Sequence, residues 1–160
     1  MLKEKQLQKM EKAINESFEI ANKRFNKYNV EFQDANFKPF HLFLGTGNYV
    51  RMSNRPPNGS IVVAVVELEE KNQGKGYFKD LYKLLEKVAT ERDCQIVFES
   101  VLNDKLIDFL KREGYSEYME SRTFYKHFGP SADINIQREK EELETFLKNI
   151  NKGVVNGIKC

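Results

Sequence analysis

Glu67-Leu-Glu-Glu-Lys-Asn-Gln73-Gly74-Lys75-Gly76-Tyr77-Phe78 carries the chain from an apolar strand into a helix, and its reading decides the fold. Before it, Ile61-Val-Val-Ala-Val-Val66 is an apolar run rich in β-branched side chains, the mark of a buried strand. After it, Leu81, Leu84, Leu85 and Val88 recur at i, i+3, i+4 and i+7, the stripe of a core-facing helix. The Gly-Lys-Gly turn between them has almost no side-chain bulk. It leaves the first backbone N–H groups of the helix open to an approaching anion. The helix dipole contributes roughly half a positive charge at that point, and Lys75 offers a full one. Such a turn suits a phosphate or pyrophosphate.

Two phosphate motifs fail here. A Walker loop needs Gly-x4-Gly-Lys-Ser/Thr, which Gly74 to Lys79 does not supply. A dinucleotide fingerprint needs a third glycine at position 79, which is Lys. Gln73-Gly-Lys-Gly76-Tyr-Phe78 instead resembles Gln/Arg-x-x-Gly-x-Gly/Ala, the acyl-coenzyme A loop of the GNAT N-acetyltransferase superfamily. It departs only at Phe78, where a small residue is usual. An ordinary glycine-rich strand-to-helix turn is the plainer alternative for this motif alone. Asn103-Asp-Lys-Leu-Ile-Asp-Phe-Leu110-Lys-Arg-Glu-Gly114-Tyr115 is similar to the second motif of the superfamily, an Asn-to-Gly-aromatic helix.

Composition sets bounds on the class. The chain has 160 residues, 40% of them hydrophobic and 31% charged, which suits one domain with a real core. With 26 basic and 24 acidic residues, the net charge of +2 gives no strong case for nucleic acid or an anionic membrane surface. No apolar run approaches the roughly 20 residues that span a bilayer, and Met1-Leu-Lys-Glu-Lys-Gln lacks the apolar core of a signal peptide. Cys94 and Cys160 form no disulfide framework, and with His41 and His127 they give no metal-ligand spacing. The expectation is a reduced, cytoplasmic protein without a metal.

In chain order, Leu7, Met10, Ile14, Phe18, Ala21 and Phe25 predict a helix over 2–26, with a solvated charged face. Val30 and Phe32 predict a short strand. Phe40–Leu44 and Tyr49–Met52, on either side of Gly45-Thr-Gly-Asn48, predict a hairpin. His41 could act as a base, although a lone histidine between apolar residues is more often structural. Asn54–Gly59 reads as a loop. A helix to about Arg92, a strand over Gln95–Val101 parallel to the first, and a helix capped at Asn103-Asp104 and ending at Gly114 follow. Tyr115–Tyr118 and Thr123–Phe128 read as closing strands. Gly129–Asp133 reads as a linker before an amphipathic helix bearing Leu143, Phe146, Leu147 and Ile150, and Lys152–Cys160 as a frayed end.

This order resembles the GNAT fold over residues 5–128. The resemblance implies an α/β (α+β) fold: a mixed, mostly antiparallel sheet of about six to seven strands with helices on both faces, plus the C-terminal amphipathic helix. Residues 1–128 then form the acetyltransferase domain and 129–160 a linker, helix and tail. That tail packs on its own domain, contacts a second subunit to give a homodimer, or covers the acceptor site.

The resemblance also implies a site. The central strand and the next one splay apart, and pantetheine of acetyl-coenzyme A pairs with main-chain groups of Val66, Glu67 and Leu68. The pyrophosphate takes N–H groups from Gly74, Lys75, Gly76, Tyr77, Phe78 and Lys79 beside Gln73, and Asn103 touches the cofactor or caps its helix. The base positions of many members hold Ala64 and Val62 here, and the tyrosine acid position holds Leu110. In the branch that acetylates protein N-termini a Glu base falls at Phe98, with Glu99 one step later. A one-residue shift changes the strand face unless a bulge intervenes. Glu99 is thus the candidate base, or a solvated edge carboxylate, and Tyr77, Tyr115 and Tyr125 are unranked proton donors. The implied activity is acetyl transfer from acetyl-coenzyme A to a primary amine of unidentified class. The alternative is a GNAT-like module that binds acyl-coenzyme A or a partner without efficient chemistry.

Overall fold

The computed structural model describes residues 1–23, 31–35, 38–47, 58–152, 154–155 and 158–159. The elements are α1 (Glu4–Lys23), β1 (Glu31–Ala35), β2 (Phe40–Gly47), β3 (Ser60–Leu68), a 3-10 turn (Glu70–Asn72), α2 (Tyr77–Arg92), β4 (Gln95–Phe98), α3 (Asp104–Arg112), β5 (Ser116–Glu117), β6 (Phe124–His127), α4 (Ala132–Asn151), β7 (Val154–Val155) and β8 (Ile158–Lys159). The main sheet has the order β1-β2-β3-β4-β6-β5. Among the described strands of this sheet, β3 and β4 run parallel, joined through α2 as a crossover requires, and the other pairs are antiparallel. Ser116–Glu117 adds no more than a two-residue edge ladder. The body of the sheet is therefore five strands, fewer than the six to seven expected.

The predicted hairpin at Gly45–Asn48 is corrected. Gly45, Thr46 and Gly47 stay in β2 and pair with Val62, Ile61 and Ser60 of β3. Cross-strand pairing holds these residues extended despite the glycines, and Thr46 and Gly45 also face Glu31 and Phe32 of β1. Tyr49–Met52, Val30, Phe25 and residues 54–57 of the expected loop lie outside the described residues. The expected frayed end instead carries a small antiparallel pair, Val154↔Lys159 and Val155↔Ile158.

The two faces of the sheet are filled differently. Ile61 and Val63 of β3, Ile96 and Phe98 of β4 and Phe40, Leu42 and Leu44 of β2 share one core with Met10, Ile14 and Phe18 of α1, Leu81, Leu85 and Val88 of α2 and Leu110 of α3. On the opposite face, among the described residues, Val62 and Val97 form a small buried apolar cluster with Tyr118 and Tyr125 packed against them.

One irregularity shapes everything downstream. Phe43 pairs with Val65 but Leu44 pairs with Val63, so Ala64 is an extra residue, a β-bulge in β3. Strand alternation is inverted beyond it. Val66 and Leu68 pack toward the helix-covered core, whereas Glu67 is exposed. Unbulged alternation from Ile61 and Val63 would have sent the Glu67 carboxylate inward.

Candidate functional site

The β3–β4 ladder runs from Ser60↔Gln95 to Val63↔Phe98 and closes with Glu99 N–H donating to the Val63 carbonyl at 3.0 Å. Beyond that point β3 continues to Leu68 while β4 has ended. The next residue, Ser100, turns the chain away. Its φ is +52°, in the left-handed region that non-glycine residues rarely occupy. Two bonds hold it there: Ser100 N–H donates to Thr123 Oγ1 at 3.2 Å, and Val101 N–H donates to the Arg122 carbonyl at 2.8 Å. The strands consequently diverge around a cleft of 380 Å³. Val66, Glu67 and Leu68 form one wall, Glu99, Ser100 and Asn103 the other, and Gln73 lies at the edge.

The glycine turn follows directly. Gly74 (φ +71°) and Gly76 (φ +80°) both need the left-handed conformation, which explains why glycine stands at each. Gln73 Nε2 donates to the Leu68 carbonyl at 3.2 Å and ties the turn to the end of β3. No side chain caps the N-terminus of α2. An added Cβ would meet nothing within 4 Å at Gly74, and only Met1 Cγ at 4.0 Å at Gly76. The uncapped donors thus face open space, with Lys75 and Lys79 exposed beside them. Asp80, the acidic residue of the first turn, accepts from Leu2 N–H at 2.8 Å.

Phe78 does not obstruct the turn. Its ring packs inward, stacked with Tyr82 at 6.3 Å and edge-on to Phe109 of α3 at 5.4 Å. A large residue at this position therefore serves the α2–α3 contact. Asn103 Oδ1 accepts from Leu106 N–H at 3.1 Å, so it caps α3 while its residue lines the cleft.

Candidate acid–base groups divide by face. Ile96 and Phe98 lie toward the helices, so alternation puts Glu99 with Val97 on the other face, the same side as Glu67. Leu110, at the tyrosine-acid position, is fully buried. Tyr115 is a core residue, edge-on to Phe98 at 5.7 Å, and its hydroxyl is buried; burial pushes its pKa far up, and that of Tyr82 likewise. Tyr125 is on the opposite face beside Glu139, raised first by burial and then by that carboxylate. None of Tyr77, Tyr115 and Tyr125 lines the cleft. His41 sits opposite Glu67 across β2 and β3, with Nδ1 3.4 Å from Oε2, beside a second cleft of 690 Å³. Cys94 is fully buried and its thiol is pushed up to about 12, which removes it as a nucleophile. Among the described residues, no three His, Cys, Asp or Glu side chains gather as a metal site, and no helix is long and apolar enough to cross a membrane.

Sequence reasoning missed Ser100. A serine after a short apolar strand carries no motif; its importance comes from a backbone angle that only the tertiary bonds to Thr123 and Arg122 impose.

No protein-family model and no curated protein sequence matches the chain. Solved structures similar to it include a mutant of the toxin AtaT bound to the C-terminus of the antitoxin AtaR and acetyl-CoA (14% identity, TM-score 0.40, 55% of this chain and 57% of that one). Others are the KacTA–DNA complex (16%, 0.41, 62% of each) and Ard1 from Thermoplasma volcanium (15%, 0.41, 75% of this chain and 94% of that one). The chain thus spans less than two thirds of the first two. The strand order and the splay of β3 from β4 onto a glycine turn match the GNAT-like fold that the sequence resemblance implied.

Proposed function

We propose that this protein transfers an acetyl group from acetyl-coenzyme A to a primary amine, with residues 1–128 as the catalytic unit and the cytoplasm as its setting. The observation that carries this reading is the continuity of the β3–β4 cleft with the uncapped turn at Gly74–Gly76. An extended chain ending in a pyrophosphate fits that shape: amide groups along Val66–Leu68, phosphates on the N–H groups of Gly74–Lys79, and the thioester toward the narrow end at Val63, Glu99 and Ser100.

In the reaction the amine nitrogen attacks the thioester carbon, the C–N bond forms and the C–S bond breaks. The nitrogen loses a proton and the leaving thiolate gains one. In this reading Glu99, on the cleft wall, takes the first proton. Glu67 and Glu99, both bordering the cleft on the open face, favour approach of a cationic acceptor. With Leu110 packed and the tyrosine hydroxyls elsewhere, Ser100 and solvent are the groups near the thiolate. The absent tyrosine acid also favours a second reading, an acyl-coenzyme A-binding module with little turnover.

Free-thiol release from acetyl-coenzyme A with a mixed panel of amines, run beside calorimetry with coenzyme A, separates the two. Binding with release supports the enzyme, and binding without release supports the module. Gly76→Glu introduces both strain and a like charge at the phosphate position, and we expect it to abolish coenzyme A binding. Unchanged affinity in that variant would remove the pyrophosphate from the turn.

A further inference from the structure

Met1 and Leu2 lie across the glycine turn. The Met1 nitrogen donates to the Lys75 carbonyl at 3.3 Å, and a Cβ on Gly76 would meet Met1 Cγ at 4.0 Å. Leu2 N–H donates to Asp80 Oδ2 at 2.8 Å. The segment is anchored on both sides of these contacts. The Leu2 side chain is 7% exposed and belongs to the main core, and Lys3 N–H donates to Gln6 Oε1 at 2.9 Å where α1 begins.

Asp80 conflicts with the charge of its surroundings. Its N–H donates to the Gly76 carbonyl at 3.1 Å, the bond that opens α2. The residue therefore sits one turn from the N–H groups that the helix leaves open at Gly76, Tyr77, Phe78 and Lys79. A carboxylate in a first turn is drawn toward such donors, and it repels a second anion that approaches them. Glycines at 74 and 76 keep side chains off the turn, yet this acid could close it from the helix side. Asp80 is half-buried, and its Oδ2 is taken by Leu2 N–H, a donor from outside the helix.

We propose that Met1–Leu2 is a latch that sets the coenzyme affinity of the turn, with Asp80 as its catch. While Leu2 N–H holds the carboxylate, the open donors of α2 stay available to a pyrophosphate. When the segment lifts, the carboxylate turns to those donors and competes with the phosphates for them. The inference rests on the placement of the pyrophosphate at Gly74–Lys79 proposed above and adds its regulation. Linkage makes the effect reciprocal: bound coenzyme A holds the segment down by the same factor by which the segment raises coenzyme affinity. Anything that displaces Met1–Leu2 thus lowers that affinity without touching the β3–β4 cleft.

The test separates the Leu2 donor from the Leu2 side chain in the full chain. Leu2→Pro removes the N–H and keeps apolar bulk, whereas Leu2→Ala keeps the N–H and gives up bulk. By calorimetry, Leu2→Pro should weaken coenzyme A binding about tenfold, and Leu2→Ala by no more than about twofold, even where its melting temperature falls further. Adding Asp80→Asn to Leu2→Pro should restore the affinity, because no carboxylate is left to compete; a purely structural role for Leu2 would not be rescued this way. In the unmutated protein, coenzyme A should slow hydrogen exchange at the Leu2 amide, read by NMR. Parental affinity in Leu2→Pro, a loss that persists with Asp80→Asn, or exchange at Leu2 unmoved by coenzyme A would overturn the latch and leave the pyrophosphate on the turn. Unchanged affinity in Gly76→Glu would overturn both.

Discussion

The two faces of one sheet have opposite characters. Toward α1, α2 and α3 the strands bury Ile61, Val63, Ile96 and Phe98 in a closed core, and even the polar pair Ser17–Thr46 there is satisfied at 2.5 Å. On the other face Val62 and Val97 are covered, but Glu67 is exposed and an open cleft lies under α4. The closed face determines whether the protein folds, and the open face has the groups that can meet another molecule. The bulge at Ala64 puts Glu67 on the second, where the same sequence in an unbulged strand would put it on the first.

That contrast can be broken most forcefully from the closed side. Phe98→Ala removes a fully buried ring and should cost about 3–5 kcal/mol by denaturant unfolding. Phe146→Ala, on a ring that is 55% exposed, should change monomer stability by no more than about 0.5 kcal/mol. Equal losses would mean that α4 is packed as firmly as the core.

On the open side, Glu99→Gln should lower turnover by about 10²–10⁴-fold, the usual range for a general base, with coenzyme A affinity nearly intact. Its pH–rate profile should lose the acidic limb. Wild-type turnover with an unchanged profile would make Glu99 a solvated edge carboxylate.

The junction between the faces should respond to acid. Hydrogen bonds from Ser131, and then from His127, hold the Asp93 carboxyl below its ordinary range. A carboxylate with a lowered folded pKa contributes stability that is present above the unfolded pKa and lost as pH falls through the folded one. Asp93→Asn should therefore lower the melting temperature at neutral pH and flatten its decline toward acid. A parallel decline in both proteins would remove Asp93 from the linkage.

The smallest effect concerns Ser100. Ser100→Gly relieves the left-handed backbone and should be neutral or slightly stabilising, whereas Ser100→Ala keeps the strain. Both lose the hydroxyl. If that hydroxyl assists the thiolate, the two variants should lose turnover alike despite their different stabilities. Losses that follow stability would leave only a backbone role.

The central unit was legible because local signals agreed with one another. Ile61–Val66, the glycine turn and the Leu81–Val88 stripe each name their element, and Asn103 both begins its helix motif and caps it. What escaped depended on partners distant in sequence. Two glycines in Gly45-Thr-Gly47 read as a turn, yet both pair with β3 and Gly45 with β1 as well, ladders that outweigh local preference. The left-handed Ser100 needs Thr123 and Arg122, and the inward ring of Phe78 needs Phe109. The bulge at Ala64 is invisible in a run of apolar residues, because either face would accept them; only Glu67, just past the run, reveals the change of parity.

Ala64 is an extra beat that the ladder of β3 absorbs: the residues on either side of it keep regular alternation against β2, and only the count between them changes. Deleting Ala64 would leave an ordinary apolar strand with Val66 still toward the core and Glu67 still outside, whereas flattening the bulge with every residue kept would turn Glu67 inward. In comparisons of distant sequences, a one-residue gap at this point is therefore where length can change without moving the residues around it.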